Sequence, residues 1–158
     1  MPVHELDCVQ IPTRSTVGRN DVNGARHLAV WIAAIVFFVI GAIWYSALAG
    51  QWLAAIGKTM EQMAADPGGS PLPYVIGFVA ILVMCYTLSW LLQRLQAATF
   101  AGGMGVGAAI GVGFVAANLA LNYGFEWRSI SLWLINALYA TVGLGIAGAI
   151  IGGWKRRT

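Results

Sequence analysis

The chain has 158 residues, 59% of them apolar and only 9% charged, with a formal charge of +3; its mean hydropathy is +0.74. Soluble domains carry roughly 25% charged residues, and a soluble fold of this length could not hide so much apolar surface, which implies a surface facing lipid. The positive charge does not mark a nucleic-acid binder, because the basic residues flank apolar runs and form no basic face with stacking aromatics; attraction to anionic lipid headgroups accounts for them.

Residues 1–27 are polar, mixed in charge and without sustained periodicity, which predicts a mostly flexible segment. The first uncharged run extends from Leu28 to Leu48. Its length, about 20 residues at about 1.5 Å each, matches a hydrocarbon core about 30 Å thick. It closes on Trp44-Tyr45-Ser46, residues suited to an interface. Ala47-Leu48-Ala49 resembles a signal-peptidase site, but the apolar run before it is long and the segment before that is long and mixed in charge, so the span is expected to be retained.

Gln51 to Ile56 predicts a short helix lying in the interface, with Trp52 and Ile56 toward lipid and Met60 and Met63 continuing it. Asp66-Pro67-Gly68-Gly69-Ser70-Pro71 is a strong break. A second span covers Tyr74 to Leu92, with Pro71 and Pro73 at its start, where proline is tolerated, and Gln93-Arg94 at its close. Cys85 lies in mid-span, far in depth from Cys8, so the two cysteines set no disulfide and Cys85 reads as a small apolar residue. The short link Gln93 to Ala98 makes the second and third spans antiparallel neighbours. The third span covers Thr99 to Leu121 and the fourth Leu132 to Trp154, followed by Lys155-Arg156-Arg157. The expected fold is all-α: a four-transmembrane-helix bundle over 28–154, a polar segment 1–27 and a basic tail 155–158.

Charge sets the expected orientation. With four spans, Arg14, Arg19, Arg26, Arg94, Lys155, Arg156 and Arg157 share one side, and only Lys58 and Arg128 lie on the other. That imbalance places both termini in the cytoplasm, across the inner membrane.

Small residues set the expected packing. Gly103, Gly107 and Gly111 recur every fourth residue in span three, as do Gly105, Ala109 and Gly113. Span four answers with Gly145, Ala149 and Gly153, and with Gly148 and Gly152. Such stripes let backbones approach closely, so that dispersion replaces the missing hydrophobic drive. They serve packing within the chain first, and a homo-oligomer or larger membrane complex second. No Gly-Lys-Ser/Thr ending or preceding strand makes a phosphate loop of this glycine run.

No Asp, Glu, Lys, Arg or His lies in the middle of a span, where ion-coupled carriers and voltage sensors usually hold one. His4 and His27 are the only histidines, and no metal-ligand spacing or cofactor motif is present, so no metal or cofactor is expected. The polar groups gather instead near the outer ends. Trp44 and Tyr45 close span one, Asn118 and Asn122 share a face of span three, and Asn136 and Tyr139 share a face of span four. Glu126 and Arg128 lie in the link between the last two spans. A structural reading has these groups satisfying one another across helices; a functional reading has them lining an outward-facing pocket, with Glu126 its foremost residue.

Gly41-Ala-Ile-Trp44-Tyr45-Ser46 with Trp52 and Gly57, then Gly113-Phe114-Val115, Phe125-Glu126-Trp127-Arg128, Ile135-Asn136 with Tyr139, and Gly148-Ala-Ile-Ile-Gly152-Gly153-Trp154 carry a resemblance. Over Leu28 to Trp154 the chain resembles the bacterial family catalogued as domain of unknown function 1761, small four-span membrane proteins. The resemblance implies four helices and no particular reaction. Residues 1–27 look added to the family's pattern, and Ala49-Gly50 stands where members often have Phe-Gly. The function expected first is a non-catalytic accessory or structural membrane protein. Second is a small-molecule or lipid-binding protein or facilitator using the outer layer, and last a membrane enzyme using Glu126.

Overall fold

Apolar length decides the main elements. The structure, a computed structural model, describes residues 17–65 and 71–154, and among these it contains helices and no strand. Helix α1 covers Val17–Ala47, α2 Ala49–Ile56, α3 Met60–Ala65, α4 Leu72–Arg94 and α5 Phe100–Ile110. A π-helical segment, Gly111–Ala116, joins α5 to α6 (Ala117–Phe125), and α7 covers Ile130–Gly153. Four stretches are long and apolar enough to cross a membrane: Arg26–Ala47, Leu72–Arg94, Phe100–Phe125 and Ile130–Gly153. The protein is thus all-α and multi-pass, as its apolar runs predict.

One local expectation is corrected. The polar stretch ahead of Leu28 is helical from Val17 onward, continuous with α1. A helix already nucleated by its apolar run adds one hydrogen bond for each residue fixed, and no proline interrupts Val17 to His27. The earlier part of the expected flexible segment with His4, Cys8 and Arg14, the break at Asp66–Ser70, and Lys155 to Thr158 lie outside the described residues.

Local chemistry explains where the helices start and stop. Thr59 and Gln62 form a reciprocal cap on α3: Gln62 N–H donates to Thr59 Oγ1 at 3.2 Å and Thr59 N–H to Gln62 Oε1 at 2.8 Å. Thr99 Oγ1 accepts from Gly102 N–H at the start of α5, and Ser129 Oγ from Leu132 N–H at the start of α7. Gly57, with φ at 72°, ends α2 in the left-handed conformation that glycine adopts without cost.

Packing centres on α7. Half of its most apolar window is buried, against 33% for α1, 28% for α4 and 17% for the third span, so α7 is the helix on which the others lean. α5 packs along one side of it and α1 along another, while α4 packs on α1 and also touches α7. The apolar core brings together Val30, Ala33, Ala34 and Phe37 of α1, Ile81, Cys85, Leu88 and Leu92 of α4, and Leu144 and Ala147 of α7. Cys85 is fully buried there, as a small apolar residue should be.

The α5–α7 seam is backbone on backbone. A methyl group added to Gly103 would overlap the Gly148 carbonyl oxygen, and one on Gly148 the Gly103 oxygen. One on Gly107 would overlap the Leu144 carbonyl. One on Gly111 would lie 2.5 Å from Thr141 Cα, and one on Gly152 2.6 Å from the Thr99 oxygen. The closest row on α7 is therefore Leu144, Gly148 and Gly152. Gly145 and Ala149 are buried beside it, but a methyl on Gly145 would meet nothing closer than 3.8 Å, and Gly153 is exposed next to Phe100. The parallel row points away from the seam: Gly105 of α5 and Gly113 of the π-helical segment have open space where a side chain would stand.

Candidate functional site

At the end of the molecule opposite the seam, α1 and α7 meet through interlocking aromatics. Phe37 occupies the space left by Gly143, and Tyr139 that left by Gly41, where an added methyl would stand 2.7 Å from the Tyr139 hydroxyl oxygen. The Phe37 and Tyr139 rings are 5.3 Å apart, and Tyr139 stands edge-on to Tyr45 at 5.2 Å. Tyr45 in turn meets Trp52 of α2 at 5.8 Å, so Trp52 turns inward onto an aromatic neighbour and is half-buried, where its spacing had suggested a lipid-facing side.

Polar groups close this layer. Trp44 Nε1–H donates to the Ile135 carbonyl at 3.2 Å. The Tyr45 hydroxyl donates to Asn136 Oδ1 at 2.8 Å, and Asn136 Nδ2–H donates to the Tyr123 hydroxyl at 2.9 Å. An amide suits the middle of this chain because it accepts at one end and donates at the other. Three helices, α1, α7 and α6, are thereby tied through neutral groups. Trp133 adds a fourth tie, donating its indole N–H to the Ala116 carbonyl at 2.9 Å, at the end of the π-helical segment.

The structure brings together Trp44, Tyr45, Asn136 and Tyr139 and keeps the other sequence-predicted residues apart from them. Asn118 and Asn122 lie on the exposed side of α6, where the Asn122 amide donates to the Asn118 carbonyl at 3.0 Å. Glu126 and Arg128 form an ion pair at 3.1 Å whose side chains are 53% and 47% exposed. Beside this pair a groove of about 460 Å³ is lined by Ala120, Leu121, Gly124, Phe125 and Trp127. Trp127 is 94% exposed and adopts a left-handed backbone conformation, φ 56°, that costs a non-glycine residue about 1 kcal/mol.

Tyr123, which is not among the candidates read from the sequence, takes the inward place instead of Asn122. The reason is the π-helical segment, which holds an extra residue per turn. The inward face of the third span runs through Gly103, Gly107 and Gly111 and continues through Ala116, Leu119 and Tyr123. An uninterrupted α-helical wheel would have carried that face from Gly111 to Asn118 and Asn122. Gly111 and Gly113, both within the segment, are the one sequence signal of backbone freedom there, and they do not fix the phase.

Within the layer Tyr45, Asn136 and Tyr123 bond to one another and Trp44 and Trp133 to backbone carbonyls; among the described residues no carboxylate, lysine or arginine takes part in these bonds. Among the described residues no three of His, Cys, Asp or Glu lie close enough together to hold a metal ion.

A family model described as protein of unknown function (DUF1761) matches residues 28–152. The chain belongs to this family. The matched region of this family member begins at the apolar part of α1 and ends within the last turn of α7, so it contains both the glycine seam and the outer layer. No curated protein and no solved structure matches the chain.

Proposed function

We propose that the protein is a non-catalytic accessory or structural component of the inner membrane, with both termini cytoplasmic, working as a homo-oligomer or within a larger membrane complex. The observation that carries this reading is the use made of the outer polar groups: Tyr45, Asn136 and Tyr123 bond to one another, and Trp44 to backbone. Polar side chains bonded to one another and to backbone across helices serve the packing of a bundle. The orientation follows from the seven basic residues on the side of the termini against two on the other. Native mass spectrometry of the protein released gently from its own membrane tests the assembly: a retained partner or defined oligomer is expected, and a clean monomer would overturn it. Labelling of single cysteines at Lys58 and Arg128, but not at Arg94, by an impermeant reagent applied from outside tests the orientation.

A second reading, binding of a small molecule or lipid at the outer surface, is favoured by the groove beside the Glu126–Arg128 pair. Asn118 and Asn122, exposed on the same helix, would extend it. Here Glu126→Gln is expected to abolish a reproducible small adduct on the native monomer, and an adduct indifferent to that change would dismiss the reading.

A further inference from the structure

A second groove, of about 260 Å³, opens between α1 and α4 at the end of the molecule that carries the start of α1 and the close of α7. It is lined by Arg26, His27 and Val30 of α1 and by Tyr86, Ser89, Trp90 and Gln93 of α4. Along the rest of α4 the exposed face is apolar, presenting Val75, Ile76, Val79 and Val83. The lipid-facing surface therefore turns polar only over the last turns of α4, where α1 supplies a matching polar edge.

The polar atoms there are organised. His27 Nδ1 lies 3.1 Å from the Tyr86 hydroxyl, joining the two helices across the groove. Gln93 Nε2–H donates to the Ser89 carbonyl at 2.8 Å, and Ser89 is buried in the wall. The Arg94 guanidinium, one turn beyond Trp90, stands 5.6 Å from the centre of that lining residue's ring. Among the described residues, Arg26 and Arg94 stand at this end, Asp21 is the acidic residue of α1, and Glu61 and Glu126 belong to the opposite end. In the tautomer whose Nδ1 accepts from the Tyr86 hydroxyl, His27 Nε2 carries a proton, and the Gln93 amide keeps a second N–H beyond the one given to Ser89. Hydrocarbon chains alone would leave these two donors facing an apolar solvent, whereas a phosphate would accept from them and pair with the arginines.

We propose that the groove between α1 and α4 binds the phosphate of an anionic phospholipid head group. Arg26 and Arg94 supply the attraction, the His27–Tyr86 edge supplies directed hydrogen bonds, and the acyl chains lie along Val83 and Val79. Basic pockets between spanning helices recognise such head groups by the same combination. The site requires only that the chain spans a bilayer; it does not depend on which leaflet this end occupies or on any protein partner.

Free phosphate shares this chemistry, so the test separates the two sources. The full chain is placed in an equimolar mixture of phosphatidylglycerol and phosphatidylcholine, and retained lipid is measured by native mass spectrometry, with and without millimolar inorganic phosphate. Preferential retention of phosphatidylglycerol is expected, reduced by about fivefold for each arginine removed in Arg26→Gln and Arg94→Gln, and unchanged in Arg128→Gln at the other end. Tyr86→Phe, which removes one hydroxyl and keeps the ring, serves as a second variant should the arginine changes disturb folding, and it is expected to lower the preference several-fold. Equal retention of the two lipids by the unmodified chain would overturn the proposal. So would a preference indifferent to every variant that folds, or displacement of the lipid by inorganic phosphate, which would assign the groove to a soluble anion.

Discussion

The two ends of the α7 helix are held by opposite means. Toward its C-terminus, α7 meets α5 through glycines, and the closest contacts set one backbone against another. Toward its N-terminus, α7 meets α1 and α6 through large rings and neutral hydrogen bonds: Tyr139 and Phe37, Trp44, Tyr45, Asn136 and Tyr123. In lipid neither contact draws on the hydrophobic effect between helices, since the acyl chains are as apolar as the side chains. Close approach is the remedy at one end and polar pairing at the other. The first is unforgiving of added volume; the second loses its parts one at a time.

That difference is most exposed by enlarging the seam. Gly107→Leu or Gly148→Leu should cost about 3 kcal/mol of stability, because the atoms in the way are carbonyls and cannot rotate aside. The denaturation midpoint in mixed micelles reads the effect. Gly105→Leu, on the open row of the same helix, should shift that midpoint by less than about 0.5 kcal/mol. Equal effects from the two rows would break the assignment of the seam. A smaller loss, about 1–2 kcal/mol, is expected for Gly143→Ala, where the obstacle is the Phe37 ring, itself buried but a side chain. Phe37→Leu in the same background should recover part of that loss, since it frees the space the methyl needs, and a double-mutant comparison checks this.

The seam was more legible in the sequence than the outer layer. Fourfold spacing of Gly103, Gly107 and Gly111 can be read directly, because glycine is distinctive among apolar residues and the spacing is local. The rows Gly145–Gly153 and Gly148–Gly152 both satisfied the pattern, and only packing distinguishes them: Gly148 and Gly152 take the tight contacts. The outer layer depends on phase carried along the whole third span. One π-helical segment, Gly111–Ala116, shifts that phase, so Tyr123 faces inward and Asn118 and Asn122 do not. On a helix that is apolar on every side, no alternation of polar and apolar residues records such a shift. Trp44, Tyr45, Asn136 and Tyr139 were legible because they sit on α1 and α7, both uninterrupted through this level. The helical turns before Leu28 were missed for a different reason, namely that helix propagation outruns the apolar signal that nucleates it.

The polar pairing end should respond more gently. Tyr45→Phe keeps both ring contacts and removes one hydrogen bond to Asn136, so it should cost about 0.6 kcal/mol. A double-mutant cycle with Asn136→Leu should give a coupling of that size, and Tyr123→Phe should give a similar one. A coupling near zero would mean that the rings alone hold this end, and the contrast with the seam would become one of shape against shape.

The smallest effect is expected at Glu126. Its partner Arg128 lies two residues away on the same turn, both side chains are about half exposed, and such pairs contribute less than about 0.5 kcal/mol. Glu126→Gln should therefore leave the denaturation midpoint almost unmoved at any salt concentration. This makes it the cleanest change with which to ask whether the outer surface binds anything. A loss of adduct in that variant could not be assigned to unfolding. A midpoint falling as steeply as in Tyr45→Phe would instead show that the carboxylate is tied into the hydrogen-bonded layer and that the layer extends into the loop.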